Sequence, residues 1–413
     1  MLRKALGRTR LLRIGLTAAL CVSMVSTTAA QADPPHKGDL FASSAMTLPA
    51  PLTAVGATGH KITYWSNSLG AGDGAAGADI KVTGMVLLPP GTAPSGGWPV
   101  VSWGHGTTGT ADVCAPSSLP NLGGYDTYLP SLIQAGYAVT ATDYEGLGTD
   151  GPHPYLIAKS EARGMIDAVR AARQLHPSLS DKWFAVGHSQ GSQAGGRAAE
   201  IVDTYGEGLD FQGTVAMGAP INLEASIDQR LAAIAGTPQG GDGDGDYGSQ
   251  AYYLMILSGL KTRHPDLDFD DYLGAGAQQK LPELETGCLI DLYLSFMDSD
   301  LPASEFQPAG THARNRLHSW INKEAVPNTR ESEPMTGPFV IFYGDADEIV
   351  TPPEAQASID LACANGTHPA WLKTYPGVNH DGTVVAAKED VITWLNAVLA
   401  GQTPDIGTPP ACP

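Results

Sequence analysis

A chain of 413 residues with 42% hydrophobic content is long enough for one large α/β domain with an elaboration, or for two average domains, and too apolar for bulk disorder. Its formal net charge of −19 argues against nucleic acid or an anionic membrane surface as a partner.

At the start, Arg3, Lys4, Arg8, Arg10 and Arg13 precede the apolar stretch Ile14–Val25, and Ala30-Gln31-Ala32 follows. This is the basic, apolar and small-residue order of a secretory signal, expected over residues 1–32 with export to the extracellular space. The apolar stretch falls short of the ~20 residues of a spanning helix, so no integral membrane segment is expected after its removal. Cys21 follows Leu20 rather than a small residue, which disfavours a lipoprotein. Without the signal the chain is more acidic still and keeps Cys114, Cys288, Cys363 and Cys412. Their spacing is too wide for zinc, and two disulfides suit an oxidising compartment. Three pairings are open. The tail TPDIGTPPACP has little apolar material to hold it, so a Cys363–Cys412 bridge is expected to tie it down, leaving Cys114 for Cys288.

Asp33–Gly59 is rich in Pro and Ala and reads as a segment wrapping the surface. Lys61–Trp65 and Ile80–Leu88 flank a Gly-Ala loop as a hairpin. Short apolar runs then recur at Pro99–Trp103, Ala138–Thr142, Trp183–Val186, Gly213–Met217, Phe339–Tyr343 and Trp371–Tyr375. Runs of this length and apolarity suit strands buried on both faces. Helices fall between several of them. In Ser160–Leu175 the residues Ala162, Met165, Ile166, Val169 and Ala172 share one face, and a last helix is expected around Val391–Leu399. The alternation predicts an α/β fold with a mostly parallel sheet flanked by helices.

The interval between Pro220 and Gly337 breaks the alternation. It holds the amphipathic run Leu223–Ile234 and the apolar run Tyr252–Leu260, with no strong strand. We expect a helical cap over residues 221–336, inserted into a core made of 33–220 and 337–413. Its loop Gly240–Gly248 carries Asp242, Asp244 and Asp246, but Tyr247 and Tyr253 stand where a calcium loop needs Gly and Glu. A solvated acidic loop is therefore expected, and no metal.

Gly187-His188-Ser189-Gln190-Gly191 matches G-x-S-x-G. With 49 glycines in the chain the string alone says little, so context decides. A strand precedes it, and Ser192, Ala194, Gly195, Gly196, Ala198 and Ala199 follow. Such small residues let a helix lie close behind a tight strand-to-helix turn. Ser189 is thus a candidate nucleophile, which needs a base oriented by an acid. In this arrangement the acid follows the nucleophile in the chain and the base comes last. Asp345, Asp347 and Glu348 follow Phe339–Tyr343 as candidate acids. His380 lies after the next strand, whereas His368 precedes that strand and reads as a surface residue. Oxyanion donors are expected from the backbone N–H of Gln190 and from Thr107 and Thr108 in Gly104–Gly109. His105 in that loop reads as structural.

Five segments together resemble the secretory lipase family, including the lipase A type with a large helical lid. They are WGHGTTG, ATDYEGLGTDGPHPYL, VGHSQG, YGDADEIVTP and GVNHDG. The resemblance runs from about residue 60 to the C-terminus and implies an α/β-hydrolase fold. It also implies Ser189, Asp347 and His380 as a triad, with Asp347 the acid. It further implies a lid between the sixth strand and the acid-bearing strand. The family's Cys-Ala-Pro-Ser is present as Cys114–Ser117. The expected activity is cofactor-free hydrolysis of carboxylic esters, acylglycerols or other fatty-acyl esters, at a lipid–water interface where the substrate aggregates. A short-chain carboxylesterase, an acyltransferase and a peptidase or amidase would use the same triad. A catalytically inert binding module is the reading of a different class.

Overall fold

The computed structural model describes residues 36–72, 77–220, 223–236, 247–324, 326 and 334–412. The secretory signal and the three aspartates of the acidic loop lie outside the described residues. Pro35–Pro413 forms one compact unit.

Nine strands form one sheet: β1 (Leu40–Ala45), β2 (Thr58–Asn67), β3 (Asp79–Leu88), β4 (Trp98–Gly104), β5 (Ala138–Thr142), β6 (Leu179–His188), β7 (Asp210–Met217), β8 (Phe339–Gly344) and β9 (Ala370–Tyr375). Their order is β1-β2-β3-β5-β4-β6-β7-β8-β9. β1, β2, β3 and β5 are joined antiparallel, and β5, β4, β6, β7, β8 and β9 run parallel. All seven strands expected from sequence after the first hairpin strand, and that strand itself, are present. The surface-wrapping reading of Asp33–Gly59 is corrected at β1. Leu40–Ala45 pairs with β2 as an edge strand, and five of its six residues are exposed. With one side unpaired and few apolar contacts, it carries too weak a hydrophobic pattern to be read from sequence.

The parallel strands are continuous apolar runs because both faces are covered. Against one face pack the helices Ala158–Leu175 and Gln190–Tyr205, sharing Val100, Met165, Val169, Trp183 and Ala198. On the other, helices Leu129–Gln134 and Lys388–Leu399 bury Leu132, Phe184, Trp371 and Trp394. The strand ends on which the functional loops sit are held from both sides.

Between β7 and β8 the described residues are helical, with no strand. The helices are Leu223–Gly236, Tyr247–Arg263, Ala275–Gln278, Leu289–Ser299 and Thr311–Glu324. They share a separate apolar cluster that includes Ile227, Leu254, Leu292, Phe296 and Leu317 and reaches Tyr155–Ile157. In the run 252–257 Tyr253, Leu254, Met255, Ile256 and Leu257 are buried, as a helix apolar on every side requires. Truncating one of these to Ala would cost about 2–5 kcal/mol. Tyr252 alone of the six is partly exposed.

Both expected disulfides are formed. Cys114–Cys288 has a Cα–Cα distance of 5.5 Å and Cys363–Cys412 one of 5.9 Å. The second ties the tail to Cys363 on the helix Pro352–Ala364, and at the start of β9 Ala370 N–H donates to Cys412 O at 3.0 Å.

Candidate active site

The turn after β6 is built around a strained residue. Ser189 has φ 52° and ψ −120°, a conformation that costs energy for any residue but glycine. It is held there from both directions. Ser189 N–H donates to Met217 O at 2.8 Å, and Met217 N–H donates to Ser192 Oγ at 2.8 Å, fixing the turn to the end of β7. Helix Gln190–Tyr205 starts at once and lies against β4 so closely that a Cβ on Gly191 would collide with the carbonyl of Gly104. Gln190 is the first residue of that helix, so its N–H has no intrahelical acceptor and is free for an incoming anion.

His380 follows β9 and donates Nδ1–H to Asp347 Oδ2 at 2.8 Å. Asp347 follows β8 and is buried. Its Oδ1 accepts the N–H groups of Ile349 and Val350 at 2.9 and 2.8 Å. The other two candidate acids do different work. Asp345 is exposed and accepts Gly377 N–H at 2.6 Å, and Glu348 is exposed. His380 is buried, and its Nε2 has no hydrogen-bond partner among the described residues. It faces the same cavity as Ser189, a space of about 350 Å³ also lined by Thr107, Tyr125, His188 and Tyr252. Gly218 makes room for the ring. Its φ is +55°, and a Cβ there would stand 2.9 Å from His380 Cε1. His368 is exposed, at the opposite end of β9.

The loop after β4 is pinned by three tyrosine hydroxyls. Tyr125 OH accepts Gly106 N–H at 2.8 Å, Tyr144 OH donates to His105 O at 3.0 Å, and Tyr155 OH is 2.7 Å from Thr107 Oγ1. Thr107 lines the cavity with Ser189. Thr108 instead lines an adjoining cavity, and its carbonyl accepts Leu289 N–H at 2.9 Å. His105 is buried, with Nδ1 2.7 Å from Gly106 O, and burial lowers its pKa.

The adjoining cavity, about 480 Å³, is lined mainly by apolar groups including Leu119, Leu289, Ile290 and Tyr293. Thr107, Tyr252, Leu289 and Ile349 line both spaces, so an apolar arm runs directly off the polar cleft at Ser189.

Sequence reasoning missed a polar layer beneath Ser189. Gln190 Nε2 donates to Glu161 Oε1 at 2.7 Å and to His153 Nε2 at 3.0 Å, and Leu156 N–H also donates to Glu161 Oε1. Burial pushes the Glu161 carboxyl up to about 8, so near neutral pH it is mostly protonated. Burial also lowers His153 to about 4 and holds it neutral. A carboxylate inside an otherwise apolar helical face was the available signal for Glu161; nothing in the local sequence marks His153.

The fold recurs in solved structures. Candida antarctica lipase A in its closed state superposes with a TM-score of 0.70 over 92% of this chain and 86% of that one, at 22% identity. The rice cell wall degrading esterase LipA from Xanthomonas oryzae gives 0.67 over 89% of this chain and 100% of that one, at 20% identity. The fold is thus that of the α/β-hydrolase lipases and esterases. In sequence, a secreted triacylglycerol lipase of Malassezia furfur is 22% identical over 290 residues. That match covers 68% of this chain, which spans about half (52%) of the relative's length. Residues 123–407 match the family described as "Secretory lipase", and the chain belongs to that family.

Proposed function

We propose that this protein is a secreted carboxylic ester hydrolase acting on fatty-acyl esters such as acylglycerols. The observation that carries the reading is the hydrogen bond from His380 Nδ1 to a buried Asp347, with His380 Nε2 unpartnered among the described residues and His380 lining the cavity that holds Ser189. Ser189 Oγ attacks the ester carbonyl while His380 Nε2 takes its proton. Asp347 keeps the proton of the neutral ring on Nδ1 and stabilises the imidazolium as it forms. The tetrahedral oxyanion is received by the Gln190 N–H and by the Thr107–Thr108 loop. His380 then protonates the leaving alcohol, and water, activated by the same ring, releases the acid from Ser189.

The apolar arm supports acyl chains as the group bound there. Each methylene buried contributes up to about 0.8 kcal/mol, close to fourfold in specificity, until the arm is full. Residues 221–336 act as the cap and lid in this reading, with Tyr252 and Leu289 roofing the cleft. Ile290, Leu294 and Met297 are exposed at spacings of four and three on helix Leu289–Ser299, an apolar edge suited to a lipid surface. Two relatives, a secreted triacylglycerol lipase and a cell wall degrading esterase, are named for the same reaction class.

The test is kcat/KM against nitrophenyl esters from acetate to palmitate, with triglyceride emulsions alongside and Ser189→Ala as control. A maximum at medium or long chains is expected, with activity on emulsions. A maximum at acetate with none on emulsions leaves a short-chain carboxylesterase. Turnover that survives Ser189→Ala rejects the site.

A further inference from the structure

We propose that Tyr125 and His188 are positioning residues that lock the oxyanion loop, the nucleophile turn and the His380 loop into one register through a single hydrogen-bonded chain. The inference rests on the ester hydrolase reading above and adds two residues to it.

The chain begins at Gly106 N–H, which donates to Tyr125 OH at 2.8 Å. Tyr125 OH is 2.9 Å from His188 Nδ1. His188 Nε2 is 3.3 Å from the backbone carbonyl of His380, which Thr383 N–H also approaches at 3.3 Å. The two ends fix every proton between them. A carbonyl only accepts, so His188 Nε2 carries a proton and donates it. A neutral imidazole then accepts at Nδ1, so the Tyr125 hydroxyl donates there. That hydroxyl's lone pair is left for the Gly106 amide, which only donates. All four groups are satisfied by one arrangement, and no other proton placement satisfies them.

The imidazole must stay neutral for this to hold, and its surroundings ensure it. His188 is buried, and burial first, then the nearby His380 ring, lowers its pKa to about 3. The two rings lie 4.8 Å apart between centroids, so a proton gained by His380 during turnover further disfavours one on His188. The Tyr125 ring is anchored in turn against Trp103 on β4, at 4.9 Å.

Gly106 lies just beyond β4, His188 ends β6 and His380 lies beyond β9; β4 and β6 are paired as far as Gly104 and Gly187, whereas β9 pairs with neither of them. Gly106 precedes Thr107, His188 precedes Ser189, and His380 is the proposed base. A shift of one segment by an ångström against the others costs on the order of 100-fold in turnover. The chain removes that freedom: Tyr125 and His188 line the cavity, but their hydrogen bonds go to the loops and not to the reacting atoms.

Tyr125→Phe removes only the hydroxyl from a ring that stays packed. Its kcat is expected to fall about 10- to 100-fold with KM within threefold, because the loss appears when the oxyanion forms. His188→Phe is expected to fall similarly. His188→Asn, with a carboxamide at the Nδ1 position, should recover part of the loss. The Tyr125→Phe/His188→Phe pair should lose little more than the worse single variant, since both cut one chain. An alkylboronic acid, which forms a tetrahedral adduct with Ser189, should lose affinity in parallel with kcat while the product alcohol does not. That ratio reads the relay even in a variant whose Tm has dropped. A kcat for Tyr125→Phe within twofold of the parent, a loss carried by KM, or multiplicative losses in the pair would overturn the relay while leaving Ser189→Ala inactive. Activity that survives Ser189→Ala would instead reject the hydrolase reading itself.

Discussion

Asp347 takes the Nδ1–H of His380 on one carboxylate oxygen at 2.8 Å and two backbone N–H groups, of Ile349 and Val350, on the other. The backbone pair fixes the carboxylate, and the carboxylate fixes the ring. Asp347→Asn places an amide where an acceptor is needed, which turns the tautomer and removes the lone pair from Nε2. Its kcat should fall roughly 10³- to 10⁴-fold. Asp345→Asn should stay within about threefold, since that side chain serves only Gly377 N–H at the surface. Steady-state kinetics on a nitrophenyl ester decide it, and the reverse ranking would reject Asp347 as the acid.

The apolar arm predicts a shift in chain-length preference. Leu289 lines both the cleft and the arm, while its backbone N–H is held by Thr108 O. Leu289→Trp should fill the junction and move the optimum to short acyl chains, with acetate turnover changed less than about threefold. An unaltered profile would mean that acyl chains lie elsewhere.

Glu161 predicts a pH dependence of stability. Burial raises its folded pKa to about 8, above the unfolded value near 4.3, so between these limits the folded state binds more protons. Stability from this group is therefore fully present at low pH and is lost as pH rises through about 8. Glu161→Gln keeps the acceptor for Leu156 and Gln190 but carries no charge. Its Tm relative to the parent should rise from about pH 5 to about pH 8 and level off above that. A constant difference from pH 5 to pH 8 would show that folding does not raise the Glu161 pKa.

The two disulfides should separate in function. Replacing Cys363 and Cys412 by Ser should cost about 2–4 kcal/mol of stability and leave kcat/KM unchanged, because that bridge holds only the tail. Replacing Cys114 and Cys288 should cost a similar amount and also lower kcat/KM on long-chain esters. Cys288 directly precedes Leu289 and Ile290 in the wall of the arm. Denaturant melts and chain-length kinetics on both double variants provide the check.

Sequence by itself determined the sheet from β2 to β9, because each of those strands is a self-contained apolar or alternating run. It also marked the strand-to-helix turn at Ser189, whose tight geometry demands small residues at fixed offsets. It singled out His380 by chain order, and family resemblance singled out Asp347. Without that resemblance only the tertiary structure separates Asp345, Asp347 and Glu348, since three neighbouring carboxylates differ only in which one folds against His380. It alone showed the edge strand Leu40–Ala45, whose pairing compensates for a weak pattern. It alone joined Tyr125, His188 and the Glu161–Gln190–His153 layer, since these contacts span 29 to 192 residues. Local propensity acts over a few neighbours, whereas the hydrogen bonds that align a site form between segments the fold brings together, and no short window of sequence contains both partners.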